Sequence, residues 1–316
     1  MLNVLVTGVG AIIGYGIINS LKMQNKYDVR IVGMDIYDDA YGQFLCDKFY
    51  IAERADSPRY LDFINNVVAQ ESVDLIIPGI EQDMYRLHEL RNEVITKVVL
   101  NNDLLIDLSK DKLKTFEYFN KAGLNVIPTL FMKDYDTYVK KLGSPFLMKP
   151  RTSYASKGIH KIYDKEELDF YNKIPENNIF QRIIGSDAEE YTVGVFGKGD
   201  GTYSDFIIMR RKLAQTGATD KAVVIAEDEP LMEYVNQICV MSKPFGPTNI
   251  QLRKEEGKMY LLEINPRISS ACSLRAYAGY NDSLKSIALY LDNVHLEAEP
   301  KKLVHAVRYI SDYFYE

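Results

Sequence analysis

Through the first hundred residues, short apolar runs alternate with amphipathic stretches. VLVTG (4–8), VRIVGMD (29–35), VDLIIPG (73–79) and KVVLN (97–101) read as strands. Helical patterns run from about Gly14 to Met23, near Ser57 to Ala69, and from about Glu81. Nearly continuous apolar strands separated by helices predict a doubly wound parallel sheet with helices on its faces, ending near residue 107. The rhythm then changes. DKLKTFEYFNKAG (111–123) predicts a helix closed by Gly123, followed by Pro128 in IPTLFM and a second helix before SPFLMKP. From there strands dominate: FLMK, GIHKI, NIFQRI, EYTVGVF, SDFIIMR, AVVIA, TNIQLR and MYLLEI. These predict two α+β units with antiparallel sheets, and a cleft between such units is a usual place for a ligand. The end, KLVHAVRYISDYFYE, reads as a closing strand plus an aromatic tail.

Composition narrows the function. With 316 residues, 47% hydrophobic and 26% charged, the chain is an ordinary globular one, large enough for two or three packed units. No apolar run approaches the roughly 20 residues that span a bilayer, and MLNVLVTG leads straight into a strand, so a cytoplasmic protein with no membrane partner is expected. Cys46, Cys239 and Cys272 are odd in number and far apart, which argues against disulfides and thiolate metal sites. His88, His160, His295 and His305 have no ligand spacing, and a net charge of −6 gives no footprint for nucleic acid. Any metal must therefore be held by oxygen.

The start offers one motif. Gly8, Gly10 and Gly14 lie between a strand and a helix, with Asp35 ending the next strand, as in dinucleotide-binding domains. The spacing is G-x-G-x-x-x-G instead of G-x-G-x-x-G, and any tight strand-to-helix turn requires glycine. A short-chain reductase would also need Tyr-x-x-x-Lys, which the chain lacks.

A second constellation carries more chemistry. In MYLLEINPRISS (259–270), Glu263, Asn265 and Arg267 alternate after an apolar run, so in an extended chain all three project from one face. Glu263 and Asn265 supply hard oxygen ligands, and Gln251 on the preceding strand adds a third if the two strands are neighbours. Few carboxylates and only oxygen suit Mg²⁺ completed by phosphate oxygens, hence a nucleoside triphosphate. Arg267 would neutralise charge on a transferred phosphoryl group. The alternative is a solvated strand face. Lys149 ends the apolar strand FLMK, where an ammonium is costly unless it meets an anion. The loop RTSYASKGI brings Arg151, Ser153, Ser156, Lys157 and Gly158 together as a phosphate cover or as a plain hairpin turn.

The run GPTNIQLRKEEGKMYLLEINPRISS, with SKDKLKTFEYFNKAGLNVIP, FLMKP and IFQRIIGSDAEEYTVGVF before it, resembles the ATP-grasp superfamily. It is especially similar to one module of the carbamoyl phosphate synthetase large subunit. The resemblance implies a Rossmann-like pre-ATP-grasp domain (1–107), a small ATP-grasp subdomain with a phosphate flap (108–180) and a C-terminal subdomain with the metal site (181–316). It implies that Lys112 and Lys149 touch nucleotide phosphates and that Ser153, Ser156, Lys157 and Gly158 belong to the flap. Gln181 opens the hinge QRII, where backbone groups of Arg182 and Ile184 would read the adenine edge, and Glu190 would accept from the ribose. Gln251, Glu263 and Asn265 match the metal ligands and Arg267 the arginine near the transferred phosphate. Either Arg210 or Arg211 would reach towards the acid substrate, a structural salt bridge being the alternative for that pair. Two departures stand out: the flap has fewer glycines than the typical loop, and one module stands where the synthetase subunit has two, which argues against carbamoyl phosphate synthesis by this chain alone.

The expectation is an ATP-dependent carboxylate-amine ligase working through an acyl phosphate, with ATP, a small carboxylate and an amine as partners. It would use two Mg²⁺ ions, replaceable by Mn²⁺, and a homodimer is compatible with the helices that its first domain exposes. The competing readings are a small-molecule kinase and an ATP-binding subunit without turnover of its own. Acceptor specificity would come from cleft walls near Glu81, Asp83 and Arg275.

Overall fold

The protein is seen here in a computed structural model that describes residues 1–152, 158–214, 217, 219–309 and 312–314. The βα rhythm folds into a five-stranded parallel sheet of β1 (Leu2–Thr7), β2 (Val29–Asp35), β3 (Lys48–Ile51), β4 (Leu75–Ile77) and β5 (Lys97–Val98), in the order β3-β2-β1-β4-β5. Helix α1 (Ile12–Lys22) packs on one face through Ile17, Ile18 and Leu21. Helices α2 (Tyr60–Glu71) and α3 (Glu81–Glu89) pack on the other through Tyr60, Ile64, Val67 and Leu87. Both faces are covered, which is why these strands read as unbroken apolar runs. The turn from β1 into α1 is tight. Gly8 has φ +59°, and a Cβ on Gly14 would lie 2.3 Å from the Gly8 carbonyl oxygen, so both positions need glycine.

Helices α4 (Asp103–Ser109) and α5 (Lys112–Lys121) lead into the second unit. There β6 (Thr129–Leu130), β7 (Phe146–Pro150), β8 (His160–Ile162) and β9 (Asn178–Arg182) form an antiparallel sheet in the order β6-β9-β7-β8. It packs against α6 (Tyr135–Leu142) through Tyr138, Phe146 and Phe180, with α7 (Lys165–Tyr171) beside β8.

The third sheet is antiparallel, with the order β14-β13-β10-β11-β12-β15. Its strands are β10 (Glu190–Lys198), β11 (Tyr203–Leu213), β12 (Thr219–Val224), β13 (Phe245–Glu255), β14 (Lys258–Asn265) and β15 (His305–Val307). Val193, Val195, Ile208, Ile250 and Ile264 point to one face, under α8 (Glu229–Ser242) and residues of α4 and α5. On the other face, Phe196, Ile207 and Met209 meet Ala271, Ala278, Tyr280 and Leu289 from the region of α9 (Cys272–Tyr277) and α10 (Asp282–Asp292). Cys272 and Ile287 also join the core under α1, so α9 and α10 bind the third sheet to the first. The expected closing strand is β15, paired with β12.

One buried amide fixes β13 against the first unit. Asn101 donates to Thr248 Oγ1 at 2.7 Å and to the Pro247 carbonyl at 3.3 Å, and its oxygen accepts from the Phe245 amide at 2.9 Å. Asn101→Ala leaves these buried groups unpaired and is expected to lower unfolding stability by about 2–4 kcal/mol in a urea titration, with the m-value unchanged. A loss below about 0.5 kcal/mol, the range of ordinary surface substitutions, would contradict this role.

Candidate functional site

The three sheets face a cleft of about 1360 Å³. One wall is the polar face of β13 and β14, whose antiparallel register sets Gln251 opposite Glu263 and Asn249 opposite Asn265. Residues directly opposite on one face approach to about 4.5–5.5 Å between Cβ atoms, so one carboxylate and three carboxamides crowd together. The expected neighbouring of Gln251 with Glu263 is therefore what the sheet shows. Beyond the end of β14, Arg267 donates to Glu81 Oε1 at 2.6 Å, tying this wall to the first unit at the start of α3.

The second wall supplies cations. Lys149 from β7 and Lys112 from the start of α5 both line the cleft. Burial pushes the Lys149 ammonium from its ordinary 10.5 down to about 8, against the pull of Glu263, with Lys112 and Arg253 adding to the depression. Burial also lowers Lys112, opposed by Glu263, Glu81 and Asp111. Two desolvated ammonium groups facing one carboxylate make a site that favours an incoming anion. Ser153, Ser156 and Lys157 lie outside the described residues. Gly158, with φ +74°, is described but does not line the cleft.

Ile127, Leu147, Ile159, Ile184 and Leu262 line the cleft together with residues 182–185 and form an aliphatic slot of the chemistry that suits a flat apolar ring. It is not legible in the chain, because isolated aliphatic residues on strands (Leu147, Leu262) and at their ends (Ile127, Ile159, Ile184) read as ordinary core. Within the hinge, the Arg182 amide already donates to the Pro128 carbonyl at 3.1 Å, and the Ile184 carbonyl accepts from Arg253 Nη1 at 3.2 Å. Of the two residues, only the Ile184 amide lacks a hydrogen-bond partner among the described residues. Of the backbone groups of Arg182 and Ile184 expected to read the adenine edge, the Arg182 amide is thus already engaged, while Ile184 keeps a donor.

Three further expectations change. Gln181 does not line the cleft: its amide donates to Thr129 Oγ1 at 2.9 Å, and the side chain borders a separate small cavity with Lys112 and Glu263. Arg210 is exposed on the opposite face of β11, whereas Arg211 is buried and lines the cleft, as alternation requires. Glu190 does not offer free oxygens. Its Oε1 accepts from Arg211 Nε and Nη2 at 3.1 and 2.9 Å, and its Oε2 from Arg253 Nε and Nη2 at 3.3 and 2.9 Å. Glu190 lines the cleft, but these four donors already meet the roughly four acceptor sites of its carboxylate, so a ribose hydroxyl would have to share or displace one of them. Arg211 also donates to Gln251 Oε1 at 2.7 Å, so the oxygen expected to ligate a metal already faces a guanidinium.

The first unit forms the far wall with Ala11, Tyr37, Glu81, Asp83 and Arg86. Burial raises Asp83 to about 6, although it accepts from Tyr60 Oη at 3.0 Å. Asp35 does not face a ligand in the manner of a dinucleotide-binding acid: its two oxygens accept from the amides of Gly10, at 2.8 Å, and Tyr37, at 3.2 Å, and so tie down the glycine turn.

The donor set fits a hard divalent cation that takes much of its shell from phosphate and water. It offers one carboxylate, Glu263, with the carboxamide of Asn265 beside it, whose Oδ1 accepts, among the described residues, only a long contact from Arg267 Nη2 at 3.5 Å. Among the described residues no group of three His, Cys, Asp or Glu side chains could hold a metal, which rules against a self-sufficient protein cage there. No described helix is long and apolar enough to cross a membrane.

Comparisons with known proteins agree with this geometry. Residues 186–313 match the family model described as ATP-grasp in the biosynthetic pathway with Ter operon, and residues 4–99 match that of the PylC-like N-terminal domain. The carbamoyl phosphate synthase large chain of Methanothermobacter thermautotrophicus is 26% identical over 182 residues, covering 52% of this chain and 17% of that protein. That of a Clostridium botulinum strain is 22% identical, covering 83% of this chain and 26% of that protein. The chain therefore spans well under half the length of these relatives. Among solved structures, N5-carboxyaminoimidazole synthetase from Staphylococcus aureus superposes with a TM-score of 0.73 at 19% identity, over 97% of this chain and 80% of that one. Biotin carboxylase from Campylobacter jejuni gives 0.73 at 16% identity, over 95% and 73%. The chain has the ATP-grasp fold behind a parallel-sheet domain and resembles a single module of the synthase large chain.

Lys149 yields a test that needs no ligand. Its folded pKa lies below its unfolded value, so the unfolded chain binds more protons between about pH 8 and 10.5. The cost of the buried charge is fully present below pH 8 and is relieved as pH rises through that window. Lys149→Met is expected to be more stable than the parent at pH 7 by about 1–3 kcal/mol, and the gap should shrink towards pH 10. Parallel stability curves for the two proteins would contradict the desolvated placement.

Proposed function

We propose, with the ATP-grasp fold as the premise, that this chain is a cytoplasmic ATP-dependent carboxylate-amine ligase. The observation that carries the reading is the convergence of Lys112 and Lys149 on the face where Glu263 and Asn265 stand, beside an aliphatic slot and opposite a polar wall from the first unit. Adenine fits the slot, with the Ile184 amide as a donor to its edge. The phosphates would run from there past Lys149 and Lys112 towards Arg267. Proteins of the same fold, a synthetase complexed with ADP and a biotin carboxylase domain with MgADP, ADP and bicarbonate, support this reading.

The chemistry follows from charge. A carboxylate resists attack by an amine, whereas an acyl phosphate carries a good leaving group. In the first step a carboxylate oxygen attacks the γ-phosphorus, the bond from that phosphorus to the bridging oxygen breaks, and ADP leaves. In the second, the amine nitrogen attacks the acyl carbon, loses a proton, and inorganic phosphate departs with the former carboxylate oxygen. Lys112 and Lys149 hold and neutralise the phosphates, and Arg267, kept in place by Glu81, faces the charge that builds in transfer. Mg²⁺ held by Glu263 and Asn265, replaceable by Mn²⁺, would offset repulsion between the acid and the triphosphate. Arg211, paired with Glu190 and Gln251, orders the wall behind these ligands. The division at 107 and 180 enters this reading with α9 and α10 shared between the third sheet and the first.

The test is a panel of ¹⁸O-labelled carboxylates with amines and Mg²⁺-ATP. A ligase releases phosphate only when acid and amine are both present and moves one ¹⁸O into it. Release of ADP with a single acceptor and no ¹⁸O in phosphate would replace the ligase with a kinase. Glu263→Gln is expected to reduce phosphate release at least 100-fold at ordinary Mg²⁺ while leaving the melting temperature within about 2 °C, and full turnover by that variant would overturn the metal assignment.

A further inference from the structure

Arg275 is the largest fully buried side chain among the described residues, and nothing about its place on the short helix α9 requires a charge. Its Nη2 donates to Asn249 Oδ1 at 2.6 Å and contacts Thr192 Oγ1 at 2.8 Å. The Thr192 hydroxyl lies 2.6 Å from the same Asn249 oxygen. Room for the guanidinium comes from Gly194 on β10, where a Cβ would lie 2.7 Å from Arg275 Nη1. Asp282, also buried, stands 4.0 Å from Nη1 and balances the charge from behind.

This arrangement settles which way the Asn249 carboxamide points. A guanidinium only donates, so the Asn249 atom that it meets is the oxygen. The oxygen is therefore turned into the protein, and the NH₂ group is left on the cleft side, where Asn249 lines the wall opposite Asn265. Along β13 the side chains run from Arg253, which holds the hinge, through Gln251 to Asn249, each about 7 Å further from the base slot. Asn249 thus lies at the acceptor end of the nucleotide track, level with Asn265.

We propose that Asn249 is a hydrogen-bond donor to the phosphoryl group in transfer, and that Arg275 is the positioning residue that holds it in this orientation. The proposal rests on the nucleotide reading above. It assigns Asn249 a role opposite to that of its neighbours: Glu263 and Asn265 offer oxygen to a cation, whereas Asn249 offers N–H to the anion. A donor fixed in advance is worth most where charge develops, because no reorganisation is needed at that moment. A flexible amide could turn its oxygen to the metal instead, and the buried Arg275 prevents that turn.

The test compares affinity for Mg²⁺-ADP alone with affinity for Mg²⁺-ADP plus aluminium fluoride, which stands in for the phosphoryl group in transfer. In the parent, aluminium fluoride is expected to tighten binding. Asn249→Asp and Arg275→Met should each lose at least 10-fold of that tightening with the Mg²⁺-ADP affinity changed less than threefold, and Arg275→Lys should restore part of it. A merely structural Arg275 would weaken both affinities together or neither, and either result overturns the proposal. Should Arg275→Met fail to fold, the parent still answers. Its Asn249 NH₂ signals, identified in ¹⁵N spectra by their loss in Asn249→Ser, are expected to shift when aluminium fluoride joins the Mg²⁺-ADP complex, and unmoved signals refute the contact. If the parent does not bind Mg²⁺-ADP at all, the nucleotide reading itself falls and this proposal with it, an outcome distinct from normal Mg²⁺-ADP binding with an unmoved Asn249.

Discussion

The pairing of β13 with β14 is the constraint from which the site follows. Its register sets Gln251 opposite Glu263 and Asn249 opposite Asn265, with an irregularity just after Gln251. A slip of β14 by one residue would carry Glu263 and Asn265 to the buried face, into a core built from Ile250, Leu252 and Ile264. The apolar halves of the two strands thus lock the polar halves in place. Several devices support this register from outside the pair. Asn101 pins the start of β13 to the first unit, Arg253 ties its other end to the hinge and to Glu190, and Arg267 reaches across to Glu81.

Charge in the cleft is arranged in layers. Glu190 is closed off between Arg211 and Arg253, and with Asp187 also paired to Arg253 the two cations and two carboxylates order the wall without net charge. Lys112 and Lys149 are different, since burial weakens both ammonium groups and the carboxylate of Glu263 only partly compensates. An anion that enters restores what desolvation removed.

Much of this was legible in the chain because it lies within single strands. The alternation of Glu263 and Asn265 needs only the extended backbone of β14, whereas Arg267 lies in the bend beyond it; the two sheet types follow from where apolar runs are continuous and where they are not. Arg210 and Arg211 could not be told apart, because Ile207, Ile208 and Met209 are apolar on both faces and leave no parity signal. Gln181 and Glu190 were assigned to the ligand from resemblance, yet their partners, Thr129, Arg211 and Arg253, come from strands that only the fold brings alongside. Arg275 was named for the cleft wall, but its side chain is turned away from the cleft. It acts through Asn249, 26 residues earlier, and one sequence carries no trace of that contact.

Thermal unfolding of the parent protein with Mg²⁺-ATP and with NADP⁺, side by side, separates a nucleotide site on β13 and β14 from one at the glycine turn. The melting temperature is expected to climb with Mg²⁺-ATP concentration, as binding to the folded state requires, and not to move with NADP⁺. A rise with NADP⁺ and none with Mg²⁺-ATP would place the function at the glycine turn between β1 and α1 and would contradict the site built on Glu263, Asn265 and Lys149.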